Sequence, residues 1–119
     1  MPYLARHILI ELYDCPFDCL NDAVLLERML LGMADLIHTD AKAKVSHQFE
    51  PQGVTSVLIV GASHFCVHTW PEHGYASMDM MVCTDSYQFK MRDVLTYLEG
   101  ALSVGSYNFT EVQRGLIGE

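Results

Sequence analysis

The chain has 119 residues, half of them apolar and 18% charged, enough for one compact core and too apolar for a disordered segment. Fifteen acidic side chains against seven basic ones leave a net charge of −8. That balance argues against nucleic acid or an anionic membrane as partner, since both require clustered Lys and Arg. No run approaches the roughly 20 apolar residues of a bilayer-spanning helix. Arg6, His7 and Glu11 interrupt the N-terminal apolar run, unlike a signal peptide, so a cytosolic protein with reduced thiols is expected. Cys15 and Cys19 lack the C-x2-C spacing of a zinc knuckle and read as buried or incidental thiols.

In chain order, residues 3–13 alternate with a period of two. Leu4, Ile8, Ile10 and Leu12 share one face; His7, Leu9, Glu11 and Tyr13 share the other, which predicts a strand. Pro16 within Asp14–Asp18 ends it. A helix follows over about 21–37, with Asp18 or Asn21 as its cap and a broad apolar stripe that includes Val24, Leu25, Met29 and Met33. Ala43 to Phe49 alternate as a second strand, and Glu50-Pro51-Gln52-Gly53 is a tight connection. Val54 to Val60 is nearly all apolar and predicts a central strand covered on both faces. A turn at 61–63, a strand over 65–69, a loop over 70–74 and a strand over 75–84 come next. A second helix over about 87–102 and a strand over 106–113 complete the chain. The order β-α-β-β-β-β-α-β with short turns predicts a single domain over 1–119. Its class is α+β, a two-layer sandwich of antiparallel sheet with two helices packed on one face.

Directly after the third strand lies Gly61-Ala62-Ser63-His64-Phe65-Cys66-Val67-His68-Thr69-Trp70-Pro71-Glu72. Each member has an ordinary reading. Ser63 suits a turn, and the G-x-S-x-G elbow of a hydrolase is absent. His64, Cys66 and His68 share one strand face, as backbone-bonded core or edge residues would. A metal site from His64, Cys66 or His68 with His73 or Cys83 matches no standard zinc spacing. Phe49 and Trp70 are either core aromatics or a platform for a flat ligand, and Glu72 by default is solvated.

Taken together, Ser63-His64, His68-Thr69-Trp70-Pro71-Glu72, Gly74-Tyr75-Ala76, Asp79 and Cys83 closely resemble the prokaryotic S-adenosylmethionine decarboxylases. Arg6-His7, Glu11, Phe49-Glu50-Pro51, Gly53-Val54 and the total length extend the resemblance along the chain. The resemblance implies that the chain makes its own cofactor. The Ser63 hydroxyl attacks the carbonyl of Ala62, and the resulting ester is eliminated. A pyruvoyl group is left on residue 63, which divides the domain into a 1–62 chain and a 63–119 chain. His68 is then the proton-transferring group of processing, a task suited to a side chain that titrates near working pH. The pyruvoyl ketone takes the substrate amine as a Schiff base and accepts the electrons left by departing CO2. Cys83 corresponds to the proton donor, Glu72 to the carboxylate on the ribose hydroxyls, and Phe49 and Trp70 to aromatics near the purine.

Three positions depart from the family pattern. Ala62 stands where glutamate normally precedes the reactive serine. Thr55 offers a hydroxyl where a serine usually assists processing, and Thr84 replaces the glycine after the cysteine. The function implied is S-adenosylmethionine decarboxylation in spermidine biosynthesis by a homodimer that shares residues across its sites. Related enzymes that act on ornithine or arginine give one alternative. An unprocessed, inactive homologue serving as a binding or regulatory subunit gives another, kept open by Ala62. Retention of Phe49 and Trp70-Pro71-Glu72 favours the nucleoside substrate, because a small amino acid has no purine or ribose to engage.

Overall fold

The structure is a computed structural model, and residues 2–83 and 89–118 are described. Six strands form one antiparallel sheet in the order β2-β3-β4-β5-β1-β6. They are β1 Tyr3–Tyr13, β2 Ala41–Gln48, β3 Val54–Val60, β4 Ser63–Trp70, β5 Tyr75–Cys83 and β6 Ser106–Leu116. Helices α1 Phe17–Leu20, α2 Ala23–Leu36 and α3 Met91–Leu102 complete the chain, and α2 and α3 share one core with one sheet face. The α+β two-layer arrangement is as expected.

Strict alternation divides each inner strand between two environments. Ile8, Ile10 and Leu12 of β1, Leu58 and Val60 of β3, Phe65 and Val67 of β4, and Met78 and Met80 of β5 are buried under the helices. Leu26, Met29, Leu30 and Met33 of α2 meet them with Val94, Leu98 and Leu102 of α3. Each of these larger side chains contributes about 1.5–3 kcal/mol by leaving water.

Five expectations need correction. The long helix begins at Ala23 and is capped by Asp22, whose side chain accepts from the Leu25 N–H at 3.0 Å; a separate short helix precedes it. Val24 lies outside the buried stripe, being 59% exposed. Strand β3 is covered on one face only, and its other face leaves Ile59 48% exposed. Strand β6 runs on to Leu116 and so includes most of what reads as a tail. The second helix starts at Met91; Thr84 and Tyr87, assigned from sequence to a strand and a helix, lie outside the described residues.

The face away from the helices is uncovered among the described residues. It carries the odd-numbered residues of β1, β3 and β5 and the even-numbered residues of β4. Two buried contacts hold the end of this sheet near Trp70. The Thr69 hydroxyl donates to Leu20 O at 2.7 Å and accepts from the Val54 N–H at 2.9 Å. Gly74, at φ +61, accepts from the Cys15 N–H at 2.9 Å; a Cβ there would lie 3.2 Å from Cys15 O, so glycine fits both the conformation and the approach.

Candidate active site

The predicted site residues fall into two groups at opposite ends of β4. Ser63 and His68 are five residues apart on one extended strand, about 17 Å at roughly 3.3 Å per residue. Within one chain, His68 therefore does not reach the Ala62–Ser63 bond.

The first group surrounds that bond. Val60 and Ser63 pair across the β3–β4 hairpin, leaving Gly61 and Ala62 as its two-residue turn. Ser63 is accordingly the first residue of β4 rather than part of the loop. The Gly61 N–H donates to Asp40 O at 2.9 Å, which ties the turn to the start of β2. Cys83, the last residue of β5, directs its thiol to the Ala62 carbonyl oxygen at 3.6 Å. The thiol thus meets the atom that would carry negative charge if the Ser63 hydroxyl attacked this carbonyl.

The second group forms a row of rings. Thr55 and His68 face each other across β3 and β4, and the Thr55 hydroxyl is hydrogen-bonded to His68 Nδ1. The His68 ring lies edge-on to Trp70 at 4.2 Å and to Phe49 at 5.7 Å. His47 extends the row beyond Phe49, at 4.6 Å. On the far side Trp70 stacks on Tyr75 at 5.2 Å, and Tyr75 on Tyr13 at 5.5 Å. Trp70 and Phe49 remain 37% and 39% exposed, so these are surface rings and not core aromatics. Glu72 is exposed in the 3-10 turn Pro71–His73 that follows Trp70. Burial, and then the hydrogen bond to the Glu11 carboxylate, push the Tyr75 phenol above its ordinary range.

His64, Cys66 and His68 do share the uncovered face, as the alternation implies. They do not gather with His73 or Cys83 into a metal site. Instead His64 comes together with His7 and Asp79, whose donor atoms all lie within 4.8 Å of one another. Burial, with Asp79 nearby, raises the Cys66 thiol, and burial pushes Cys15 up to about 11. The sequence offers His7 and Glu11 to the site only through the resemblance, and Tyr13 not at all. Their shared parity in β1 was readable; that β1 inserts between β5 and β6 was not, because sequence order does not fix strand order.

The S-adenosylmethionine decarboxylase family model matches residues 6–115. The S-adenosylmethionine decarboxylase proenzyme of Syntrophomonas wolfei is 38% identical over 117 residues, 98% of this chain and 91% of that protein. The proenzyme of the same name from Pelotomaculum thermopropionicum is 37% identical over 119 residues, covering 100% and 93%. The crystal structure of the adenosylmethionine decarboxylase from Aquifex aeolicus superposes with a TM-score of 0.85 at 28% identity, covering 100% of this chain and 97% of that one. The sheet order, the turn before Ser63 and these likenesses lead to one conclusion: the chain belongs to the S-adenosylmethionine decarboxylase family of carboxy-lyases.

Proposed function

We propose that this chain is a self-cleaving, pyruvoyl-dependent decarboxylase of S-adenosylmethionine that works as a pair of identical chains and serves spermidine synthesis. The observation that carries the reading is the Cys83 thiol against the Ala62 carbonyl, one bond from Ser63. The relatives are named proenzymes, which fits a chain that must be cut to mature.

The cut balances as follows. Ser63 Oγ bonds to the Ala62 carbonyl carbon, the C–N bond breaks, and the Ser63 nitrogen takes the proton released by the hydroxyl. Loss of the Ser63 α-proton then breaks the Cβ–O bond, so that Ala62 leaves as a carboxylate carrying the serine oxygen. One water enters, one ammonia departs, and residue 63 becomes pyruvoyl on a 63–119 chain beside a 1–62 chain. Backbone atoms alone react at residue 62, so alanine in place of glutamate is compatible with the cut.

The residues fit such a group, since a hydroxyl-bearing residue directly follows a carbonyl already in contact with a thiol. When formed, the pyruvoyl group supplies the electron sink for loss of CO2. Cys83 holds the proton that the decarboxylated carbon requires. Phe49 and Trp70 offer faces to the purine and the sulfonium, with a cation–π contribution of about 1 kcal/mol. Glu72 accepts from the two ribose hydroxyls. A free Cys83 suits the reducing cytosol.

The separation of the two groups and the uncovered face support pairing. That face exposes Leu9, Val45 and Ile59 by 38%, 64% and 48%, a surface expected to be covered in a stable protein. Two such faces packed about a two-fold axis, roughly 10 Å apart, set the Ser63 end of one sheet over the His68 end of the other. Each site then takes Ser63 and Cys83 from one copy, and Thr55, His68, Phe49, Trp70 and Glu72 from its partner.

Intact mass tests the cut: fragments ending at Ala62 and beginning with pyruvoyl are expected. A single 13.4 kDa chain that stays whole on incubation would overturn the enzyme reading and leave a binding or regulatory subunit. CO2 release from S-adenosylmethionine, ornithine and arginine, run in parallel, decides the substrate. The ring row supports the first, because neither amino acid carries a base to place on it.

A further inference from the structure

On the uncovered face, one residue beyond Ser63, four side chains from four strands come together. Arg114 Nη1 of β6 lies 2.9 Å from His7 Nδ1 of β1, and His7 Nε2 lies 2.9 Å from Asp79 Oδ2 of β5. The same oxygen is 3.7 Å from His64 Nε2 of β4. The donor roles follow from chemistry. A guanidinium only donates, so His7 Nδ1 holds a lone pair and the ring proton sits on Nε2, directed at Asp79. Two histidines and a carboxylate are also a metal donor set. A cation at His7 Nε2, however, requires a lone pair on the nitrogen that here carries the proton, and so competes with Arg114.

The location gives the arrangement its consequence. Before the cut, residue 63 is held from both sides, by β4 and by the two-residue turn to β3. After the cut it becomes the free end of a strand, and strand ends fray unless tied down. His64 is the next residue, and its ring faces the Asp79 carboxylate of the neighbouring strand β5 at 3.7 Å, a carboxylate itself held by His7 of β1 and, through His7, by Arg114 of β6. We propose that Arg114, His7 and Asp79 form a relay of positioning residues that holds His64. Through it, they keep the newly made terminal residue in place after Ala62 has been released. The inference rests on the cut proposed above and extends it from how the cofactor is made to how it is kept.

Amide hydrogen exchange in β4, read by mass spectrometry on cut protein, tests it without relying on turnover. Asp79→Ala is expected to speed exchange over residues 64–66 about tenfold relative to the cut wild type. In an uncut Ser63→Ala background the same substitution should change it by less than about twofold, because the hairpin still holds the strand. Arg114→Met is expected to act in the same direction and Arg114→Lys, which keeps a donor for His7, to restore protection. Asp79→Asn serves where the alanine variant does not fold. Equal acceleration in cut and uncut backgrounds would make the relay ordinary strand stabilisation and overturn the inference. So would no acceleration, or one Zn2+ bound per chain and lost with Asp79→Ala. A native chain that never cuts overturns both this inference and the reading beneath it, whereas a cut chain with unmoved exchange overturns this inference alone.

Discussion

The Cys83 thiol lies 3.6 Å from the Ala62 carbonyl oxygen, so the last residue of β5 and the turn between β3 and β4 meet at the bond proposed to break. From sequence, Cys83 carries only a role in turnover, after the cut. Under the proposed cut, the contact would add a second role, because that oxygen would then gain charge. Cys83→Ala is therefore expected to lower turnover and also to slow cleavage several-fold, since an S–H donor is weaker than the backbone donors of an oxyanion hole. Cys83→Ser should restore cleavage more than turnover. Gel densitometry of cleavage against time, alongside CO2 release, separates the two effects; cleavage at the wild-type rate in Cys83→Ala would remove the second role.

The proposed sharing of the site between copies predicts a specific complementation. Ser63→Ala and His68→Ala chains should each remain uncut when made alone. Made together with distinguishable tags, the His68→Ala chain should be cut in the mixed dimer, because its own Ser63 then meets the partner's intact His68. A site contained within one chain gives no rescue, and mass spectrometry of the tagged fragments reads the difference.

The Thr69 hydroxyl satisfies Leu20 O and the Val54 N–H in a fully enclosed position, 2% exposed. Thr69→Val keeps the volume and leaves both partners without a bond, at a cost of about 1–3 kcal/mol. The melting temperature is expected to fall by roughly 4 °C for each kcal/mol. Thr69→Ser should recover most of the loss, and equal melting of all three proteins would count against the hydrogen bonds.

The Asn21 side chain accepts from the Gly53 N–H at 3.0 Å and from Gln48 Nε2 at 2.9 Å, so it pins the connection that presents Phe49; its backbone N–H closes α1 on Phe17 O, and α2 takes its N-cap from Asp22 instead. Asn21→Ala should raise KM for S-adenosylmethionine several-fold through a looser Phe49, with the cut unchanged. The loss of one such bond costs about 1 kcal/mol. Steady-state kinetics on fully cut protein distinguish this from a fall in kcat.

Burial holds the Cys15 thiol protonated up to about 11, against 9.0 for the free side chain. A folded pKa above the unfolded one means that the unfolded chain releases its proton first as pH rises. The stability contributed by the neutral thiol is thus complete below about pH 9 and is lost between about 9 and 11. Chemical denaturation across that window should show stability falling. In Cys15→Ala that part of the fall should disappear, and at pH 8 Cys15 should resist alkylation while the protein is folded.

The sequence by itself determined the elements and their faces. Period-two alternation in β1, β4 and β5 and helical spacing in α2 and α3 record which side of each element leaves water, and that record is local. The family was likewise legible in the Ser63–Glu72 stretch, because its residue types and their order carry the resemblance. Tertiary structure decided what stands beside what. Strand order is set by long-range pairing, so only the folded sheet shows β1 between β5 and β6, with His7 carried to Asp79 and Tyr13 to Tyr75. The apolar run of β3 could not reveal that the helices cover only one of its faces, since an apolar residue type does not say which side a helix packs on. Rigid strand geometry also separates two neighbours in sequence: Ser63 and His68 lie in one short motif, yet extended backbone holds them about 17 Å apart. A motif that reads as one site in sequence is therefore two separate groups within one folded chain, which is what the proposed pairing of chains would bring together.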